Sequence, residues 1–127
     1  MIEVFNKHNK KIGFIENKKF FDKKHKLIGY LDGDILKNKS GNPILRLDNH
    51  DDIFIDNEQI GFIYNSKVFF REQPVFEILK EKRKIYTTDK KNILSLTQNH
   101  EVIDMIELLA LATLFLKSNW VNAMIRY

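Results

Sequence analysis

The stretch Ile12, Gly13, Phe14, Ile15 decides the fold, because the chain repeats it at nearly constant intervals. Similar tetrapeptides occupy residues 28–31, 44–47, 60–63, 75–78 and 93–96, and their first residues follow one another at 16, 16, 16, 15 and 18 positions. Self-similarity at a fixed period is typical of a repeat architecture, in which each copy forms one supersecondary unit.

A second, shorter apolar run precedes each copy, for example Phe20 and Phe21 before the copy at residues 28–31. The spacers between these runs are rich in Asn, Asp, Gly and Lys, which favour tight turns between short β-branched and aromatic strands. We therefore predict a mainly β fold of six hairpin repeats, with about twelve short antiparallel strands and one C-terminal α-helix.

One face of the repeated strand is predicted to form the interior. Alternate residues of a strand point to opposite sides, and one side is free of polar residues in every copy, whereas the other admits Arg46, Glu77 and Ser95. Three of the inward positions are glycines, Gly13, Gly29 and Gly61. Glycine inside a strand often marks a close approach by another element, so we expect something thick to lie against this face.

The C-terminal part supplies a candidate for that element. Residues 99–117 are predicted to form a helix, with Asn99 as its N-cap and Lys117 near its end. From Leu108 to Leu116 only Thr113 interrupts the apolar residues, and a helix that is apolar all round must be buried on every side. This run is too short to span a bilayer. We predict a sheet that closes, or nearly closes, around the buried helix.

We predict a single domain over residues 1–127, with β-hairpin repeats in 1–97, the central helix in 98–117 and a tail in 118–127 that packs on the rim or on a partner. A helix of about 18 residues is about 27 Å long, whereas short tilted strands give a wall of about 13 Å, so one helix end should project. The expected contacts with a protein partner, or with a second copy in a homodimer, are Trp120, Val121, Met124 and Ile125.

The amino-acid composition indicates which cellular compartment suits the protein. The chain contains no cysteine, which suits a reducing environment, and its first residues lack the apolar segment of an export signal. A cytoplasmic location is the expectation.

Positive charge falls near both ends of the repeat array. Residues 1–27 carry eight lysines against three acids, and residues 80–98 carry six bases against two acids. If the barrel closes, these blocks should merge into one face that binds nucleic acid or a phosphoinositide-containing membrane surface. The candidate anion-binding residues are Lys23, Lys24, Lys26, Lys82, Arg83 and Lys84. The alternative is solubilising charge, since seventeen of the twenty-one bases are Lys and bidentate phosphate recognition favours Arg.

Catalytic chemistry has little support in the sequence. The chain lacks a cysteine, a clustered Gly-rich loop and a serine elbow, so we predict no catalytic residue and no cofactor. His50, Asp51 and Asp52 are the weak candidates for a metal or hydrolytic site; the alternative is a solvated turn whose aspartates bind backbone amides. The other histidines, His8, His25 and His100, are expected at exposed turn or cap positions.

Two resemblances add to these predictions. The repeated strand followed by a polar turn and an Asp or Asn, at residues 12–22, 28–38 and 60–70, resembles the uncharacterised bacterial β-flower domains, which implies radially arranged hairpins and no known activity. The order of twelve strands and then an apolar helix is similar to tubby-like domains, including scramblase relatives, in which a helix threads a closed barrel and some members bind phosphoinositides. No lipid-binding residue of that family aligns with this chain. The expected function is that of a small non-enzymatic interaction module.

Overall fold

A computed structural model of the protein describes residues 1–116, which form twelve strands and one helix. The strands are β1 Ile2–Phe5, β2 Lys11–Glu16, β3 Lys19–Asp22, β4 Leu27–Asp32, β5 Ile35–Asn38, β6 Pro43–Leu47, β7 Asp52–Ile55, β8 Glu58–Tyr64, β9 Lys67–Phe70, β10 Gln73–Leu79, β11 Lys84–Thr87 and β12 Ile93–Leu96. The helix, α1, is Met105–Phe115. The fold is therefore mainly β with a C-terminal helix, as predicted.

The sheet is an antiparallel meander that closes on itself. Each strand pairs with the next along the chain, and β1 also pairs with β12, with Val4 opposite Leu96. Closure leaves no unpaired sheet edge. It also brings the first and the last hairpins side by side, as the sequence predicted.

Several of the turns share one arrangement of side-chain to backbone hydrogen bonds. In the turns after Asn6, Asp22 and Asn38, the side-chain Oδ1 accepts hydrogen bonds from the backbone N–H groups two and four residues later, at 2.8 to 3.1 Å. The third residue after each of them has a positive φ, which Asn, His and Gly tolerate better than β-branched residues. Because these three residues are 16 positions apart, the turn is part of the repeat.

The helix lies inside the barrel. It packs against β4 and β10, which stand on opposite sides of the ring, and every residue from Glu107 to Leu114 is buried. The only hydroxyl in this run, Thr113 Oγ1, donates a hydrogen bond to Leu109 O at 2.8 Å. Twelve strands spaced about 4.8 Å apart and tilted by about 40° enclose a ring of about 12 Å radius. Such a ring leaves room for one helix and one layer of side chains.

The predicted interior face is buried at every position except Ile63, which is half-buried. The expectation that an element lies against the inward glycines is confirmed at two of them. A Cβ atom on Gly13 would lie 2.7 Å from the Phe115 ring, and one on Gly29 would lie 3.3 Å from Leu114. At Gly61 the neighbouring atoms belong to the adjacent strand, chiefly the Phe69 carbonyl.

The predicted start of the helix is wrong by six residues. Asn99 is not the N-cap, because residues 97–104 are not helical and α1 begins at Met105 after the N-cap Asp104. Glu107 Oε1 accepts the Asp104 backbone N–H at 2.9 Å, which is one half of a capping box. An aspartate followed three residues later by a glutamate is a sequence signal that marks this start correctly.

The shorter helix changes the expectation of a projecting end. Its eleven residues span about 17 Å, close to the height of the wall, so the length difference that predicted a projection is not seen over the described helix. The proposed contact residues Trp120, Val121, Met124 and Ile125 lie outside the described residues. Among residues 1–116, no helix combines the length and the apolarity needed to cross a membrane.

Replacing Gly13 with Ala tests the packing of helix against barrel. The new Cβ would collide with the Phe115 ring and also with the Phe21 carbonyl oxygen, and no side-chain rotation relieves the second contact because that oxygen belongs to the backbone. We expect a loss of about 2–4 kcal/mol in the free energy of unfolding, measured by urea denaturation. Gly29→Ala is the milder comparison, because its nearest contacts are 2.9 Å and 3.3 Å away. Equal stability of Gly13→Ala and the wild type would contradict this packing.

Candidate functional site

The up-and-down path of the strands sorts the turns between two ends of the barrel. Because successive strands run in opposite directions, the turns that follow odd-numbered strands lie at one end and those that follow even-numbered strands at the other. The first end is also where α1 finishes, since residues 97–104 leave β12 at the opposite end. We call the turns 6–10, 23–26, 39–42 and 88–92 at the first end the lysine rim.

Charge separates along the barrel axis. The turns at the end with the lysine rim contain nine basic and three acidic residues, whereas the turns and the connecting segment at the opposite end contain four basic and six acidic residues. The lysine rim itself holds eight lysines and a single aspartate. All eight lysines are exposed: Lys7, Lys10, Lys23, Lys24, Lys26, Lys39, Lys90 and Lys91.

The four turns of the lysine rim are consecutive around the ring. The turn 88–92 adjoins the turn 6–10 because β12 pairs with β1, and Lys7 Nζ donates a hydrogen bond to Lys91 O at 3.1 Å. Lys7, Lys23 and Lys39 each follow directly the Asn or Asp whose side chain organises the turn. Adjacent copies are two strands apart, so these three positions are spaced by roughly 10 Å.

Half of the predicted anion-binding set lies elsewhere, so the two basic blocks merge only in part, through Lys90 and Lys91. Lys23, Lys24 and Lys26 belong to the lysine rim, whereas the turn that carries Lys82 and Arg83, followed by Lys84 at the start of β11, is at the opposite end. The first and last hairpins are adjacent, but their basic turns alternate between the ends. Lys39 was missed by the sequence prediction, although the 16-residue spacing of the Asx–Lys pairs indicates it.

Arg83 has a structural role instead. Its guanidinium donates hydrogen bonds to Thr97 O at 2.9 Å, to Asn99 Oδ1 at 3.2 Å and to Glu101 O. Gln98 adds a hydrogen bond from its side-chain amide to Lys82 O at 3.0 Å. These contacts hold the segment between β12 and α1 against the β10–β11 turn, so the guanidinium is already engaged.

The opposite end also contains an ion pair around the helix start. Lys18 Nζ lies 3.0 Å from Glu107 Oε1 and 3.1 Å from Asp104 Oδ2, and these interactions, chiefly the hydrogen bond to Glu107, raise the pKa of Lys18. Acids at a helix N-terminus and cations near its C-terminus both complement the helix dipole. The charge separation of the barrel therefore follows the direction of the enclosed helix.

The cluster around His50 is organised as a turn. Asp48 Oδ1 accepts the backbone N–H groups of His50 and Asp52, both at 2.9 Å, and Asp51 has a positive φ of 63°. In the part of the chain that the structure describes, no group of three or more His, Cys, Asp or Glu side chains is arranged to hold a metal ion. The solvated-turn interpretation of His50, Asp51 and Asp52 accounts for these contacts.

The other histidines lie in exposed positions, as expected, but His100 does not open the helix. His8 and His25 are in turns of the lysine rim, and His100 is in the non-helical segment before α1. The His25 ring also packs edge-on against Phe14, with ring centroids 5.1 Å apart.

The phenylalanines of the wall are paired with one another. Phe14 stacks on Phe21 with ring centroids 4.8 Å apart, and Phe62 stacks on Phe69 at 4.7 Å. Phe20 and Phe70, by contrast, are fully buried. The faces that these stacked pairs share are not open to a ligand.

Comparisons with known proteins found no similar protein or family. No protein-family model matches the chain, and neither the curated proteins nor the solved structures gave a significant match. The resemblance to β-flower and tubby-like domains therefore stays a prediction.

The turn aspartates predict a specific dependence of stability on pH. Hydrogen bonds from the backbone N–H groups of Lys26 and Lys24 lower the pKa of Asp22, and those of Asp52 and His50 lower the pKa of Asp48. A carboxylate whose pKa is lower in the folded state stabilises the fold above its unfolded value near 3.8, and this contribution disappears as the pH falls through the folded pKa. We expect the stability of the double variant Asp22→Asn/Asp48→Asn to fall less steeply than that of the wild type as the pH is lowered.

Asparagine is the matched replacement, because Asn6 and Asn38 already form the same turn. The measurement is the midpoint of urea unfolding, monitored by circular dichroism, at a series of pH values between about pH 6 and pH 2. Asn6→Asp is the converse control and should make stability more sensitive to acid. An identical pH profile for all three proteins would contradict the role of these carboxylates.

Proposed function

We propose that the protein is a small non-enzymatic binding module that attaches to a phosphate-rich polyanion through the lysine rim. The observation that carries the proposal is the collection of eight exposed lysines and one aspartate on four consecutive turns at one end of the barrel. Clustered cations attract polyanions, and release of the counterions bound to the polyanion drives the association.

The residue type fits this mode of binding. Lysine carries a compact, hydrated charge on a flexible stem, so it suits contacts with many phosphates of unspecified orientation better than bidentate recognition of one group. The single acid of the rim, Asp89, is already engaged, since it accepts hydrogen bonds from Thr87 Oγ1 at 2.7 Å and from the Lys91 N–H at 2.9 Å. These contacts lower its pKa, so it stays ionised but is turned toward its own loop.

The contact expected at the helix end stays a separate prediction from the sequence. The predicted projection rested on a helix that began at residue 99, and the helix begins at Met105. An interaction through Trp120 concerns residues outside the described part of the chain. A cytoplasmic location and a relation to the β-flower or tubby-like families accompany the proposal as predictions from the sequence.

The test is retention on immobilised heparin at about 50 mM and about 200 mM salt. Lys10→Glu/Lys23→Glu/Lys39→Glu reverses one charge in each of three rim turns and should abolish retention at both salt concentrations. The matched variant Lys19→Glu/Lys67→Glu/Lys80→Glu makes the same change in net charge at the opposite end, on side chains that are likewise exposed. It should keep most of the retention.

The matched variant distinguishes binding at the lysine rim from a general effect of the protein's net charge. Equal loss of retention in both variants would mean that only the net charge of the protein matters, and the proposal would fail. Thermal unfolding of all three proteins addresses the other use of the lysines, which is to complement the C-terminal end of the helix dipole. If wild type is not retained and the rim variant is only less stable, the lysines serve the fold alone.

A further inference from the structure

We propose that the polyanion is a nucleic-acid duplex, which lies along the lysine rim and is held by its phosphates without reading of its bases. This inference rests on the proposed function and specifies its ligand class. The first step is the extent of the rim. Its four turns join eight of the twelve strands, and the first and the fourth lie about one ring diameter, about 24 Å, apart, which corresponds to roughly seven base-pair steps of 3.4 Å.

The second step is the one-sided placement of the charge. The two remaining turns at this end contain Asp56 and Glu72, together with Arg71, whose guanidinium faces Glu58 at 3.5 Å. A flat bilayer that approached this end would meet all six turns, including these acids. A rod laid along the four lysine-bearing turns meets the lysines and leaves the acids to one side. The distribution therefore favours an extended polyanion over a planar anionic surface.

The third step is the position of the exposed hydrophobic side chains. Within residues 1–116 the large hydrophobic residues classed as exposed are Met1, Tyr64 and Val102, and all three lie at the end opposite the lysine rim. Attachment to a membrane surface generally combines cations with apolar side chains that enter the lipid. Among residues 1–116, the lysine rim therefore offers cations without large exposed hydrophobic side chains.

The fourth step concerns the form of the nucleic acid. Proteins that hold single strands without sequence preference stack the bases on aromatic side chains. In the outer aromatic pairs Phe14–Phe21 and Phe62–Phe69 one face of each ring is covered by its partner, at 4.8 Å and 4.7 Å between ring centroids, and neither pair lies on a turn of the lysine rim. A duplex presents its phosphates without unstacked bases, and lysine contacts to phosphates carry no sequence information. The predicted binding is therefore to a duplex, and independent of sequence.

The experiment measures binding of a labelled duplex of about 20 base pairs by fluorescence anisotropy over a range of salt concentrations. If each of the four rim turns makes one phosphate contact, affinity should fall roughly 150-fold between about 50 mM and about 200 mM salt, because the slope of log K against log salt is about −0.9 for each contact. Two duplexes of unrelated sequence should bind alike.

The variant Lys10→Gln/Lys23→Gln/Lys39→Gln should flatten that slope by up to about 2.7, since each neutralised lysine removes one contact. Lys19→Gln/Lys67→Gln/Lys80→Gln, at the opposite end, should leave the slope unchanged. A single-stranded oligonucleotide of the same length should bind more weakly than the duplex. Tighter binding of the single strand, or a strong preference between the two duplex sequences, would overturn the inference.

A parallel arm separates this inference from the proposed function. Vesicles of neutral lipid with and without phosphatidylserine are sedimented with the same proteins. If heparin and anionic vesicles bind through the rim and the duplex does not, the nucleic-acid inference is wrong and the polyanion function stands. If heparin, vesicles and duplex all fail to bind, both are wrong. Duplex binding that depends on the rim, with weak or absent vesicle binding, is the expected result.

Discussion

Burial of an apolar helix on every side is the constraint on which the rest of the structure depends. From Leu108 to Leu114 the helix presents no face that water could solvate well, so a sheet covering one side would leave the other side exposed. Closing the sheet by pairing β1 with β12 covers all sides and removes the sheet edges in the same step. The helix and the barrel are therefore each other's core.

That mutual dependence explains the unusual composition of the repeat. A strand normally loses stability when a glycine replaces a larger residue, yet the second position of the repeat is glycine in three copies. At Gly13 and Gly29 the space of a side chain is taken partly by a carbonyl oxygen of the adjacent strand, from Phe21 or Lys37, and partly by Phe115 or Leu114 of the helix. The large residues that fill the barrel are thus supplied partly by the helix, and the wall is thinned where they meet it.

The charge pattern follows from the path of the chain and the direction of the helix. Lys18, Asp104 and Glu107 form a compact ion-pair cluster at the helix start, where the acids complement the positive end of the dipole. The C-terminal end of the helix lies at the end of the barrel that carries the lysine rim. Cations are favourable there because they complement the negative end of the helix dipole. Eight exposed lysines are more than this local electrostatic role needs, because the dipole effect fades beyond the terminal turn. We take this excess of lysines as support for the proposed binding of an external anion.

Much of the architecture could be predicted because its signals are local. The alternation of apolar residues and the run from Leu108 to Leu116, which only Thr113 interrupts, are each read from a few neighbouring residues, and the 16-residue period is read from successive copies. These signals by themselves determined the strands, their inner face and the buried helix. The helix start was missed although its own signal, Asp104 with Glu107, is also local.

Tertiary structure alone decided which charges act together. Arg83 is engaged by Thr97 and Asn99 because β11 and β12 bring the β10–β11 turn against the segment that leads into the helix, a contact that no short stretch of sequence records. Likewise, Lys82 on the β10–β11 turn and Lys23 on the β3–β4 turn lie on nearly opposite sides of the ring and at opposite ends of the barrel. The end at which a turn lies depends on how many times the chain has already reversed, so it is a property of the complete closed meander and not of the turn itself.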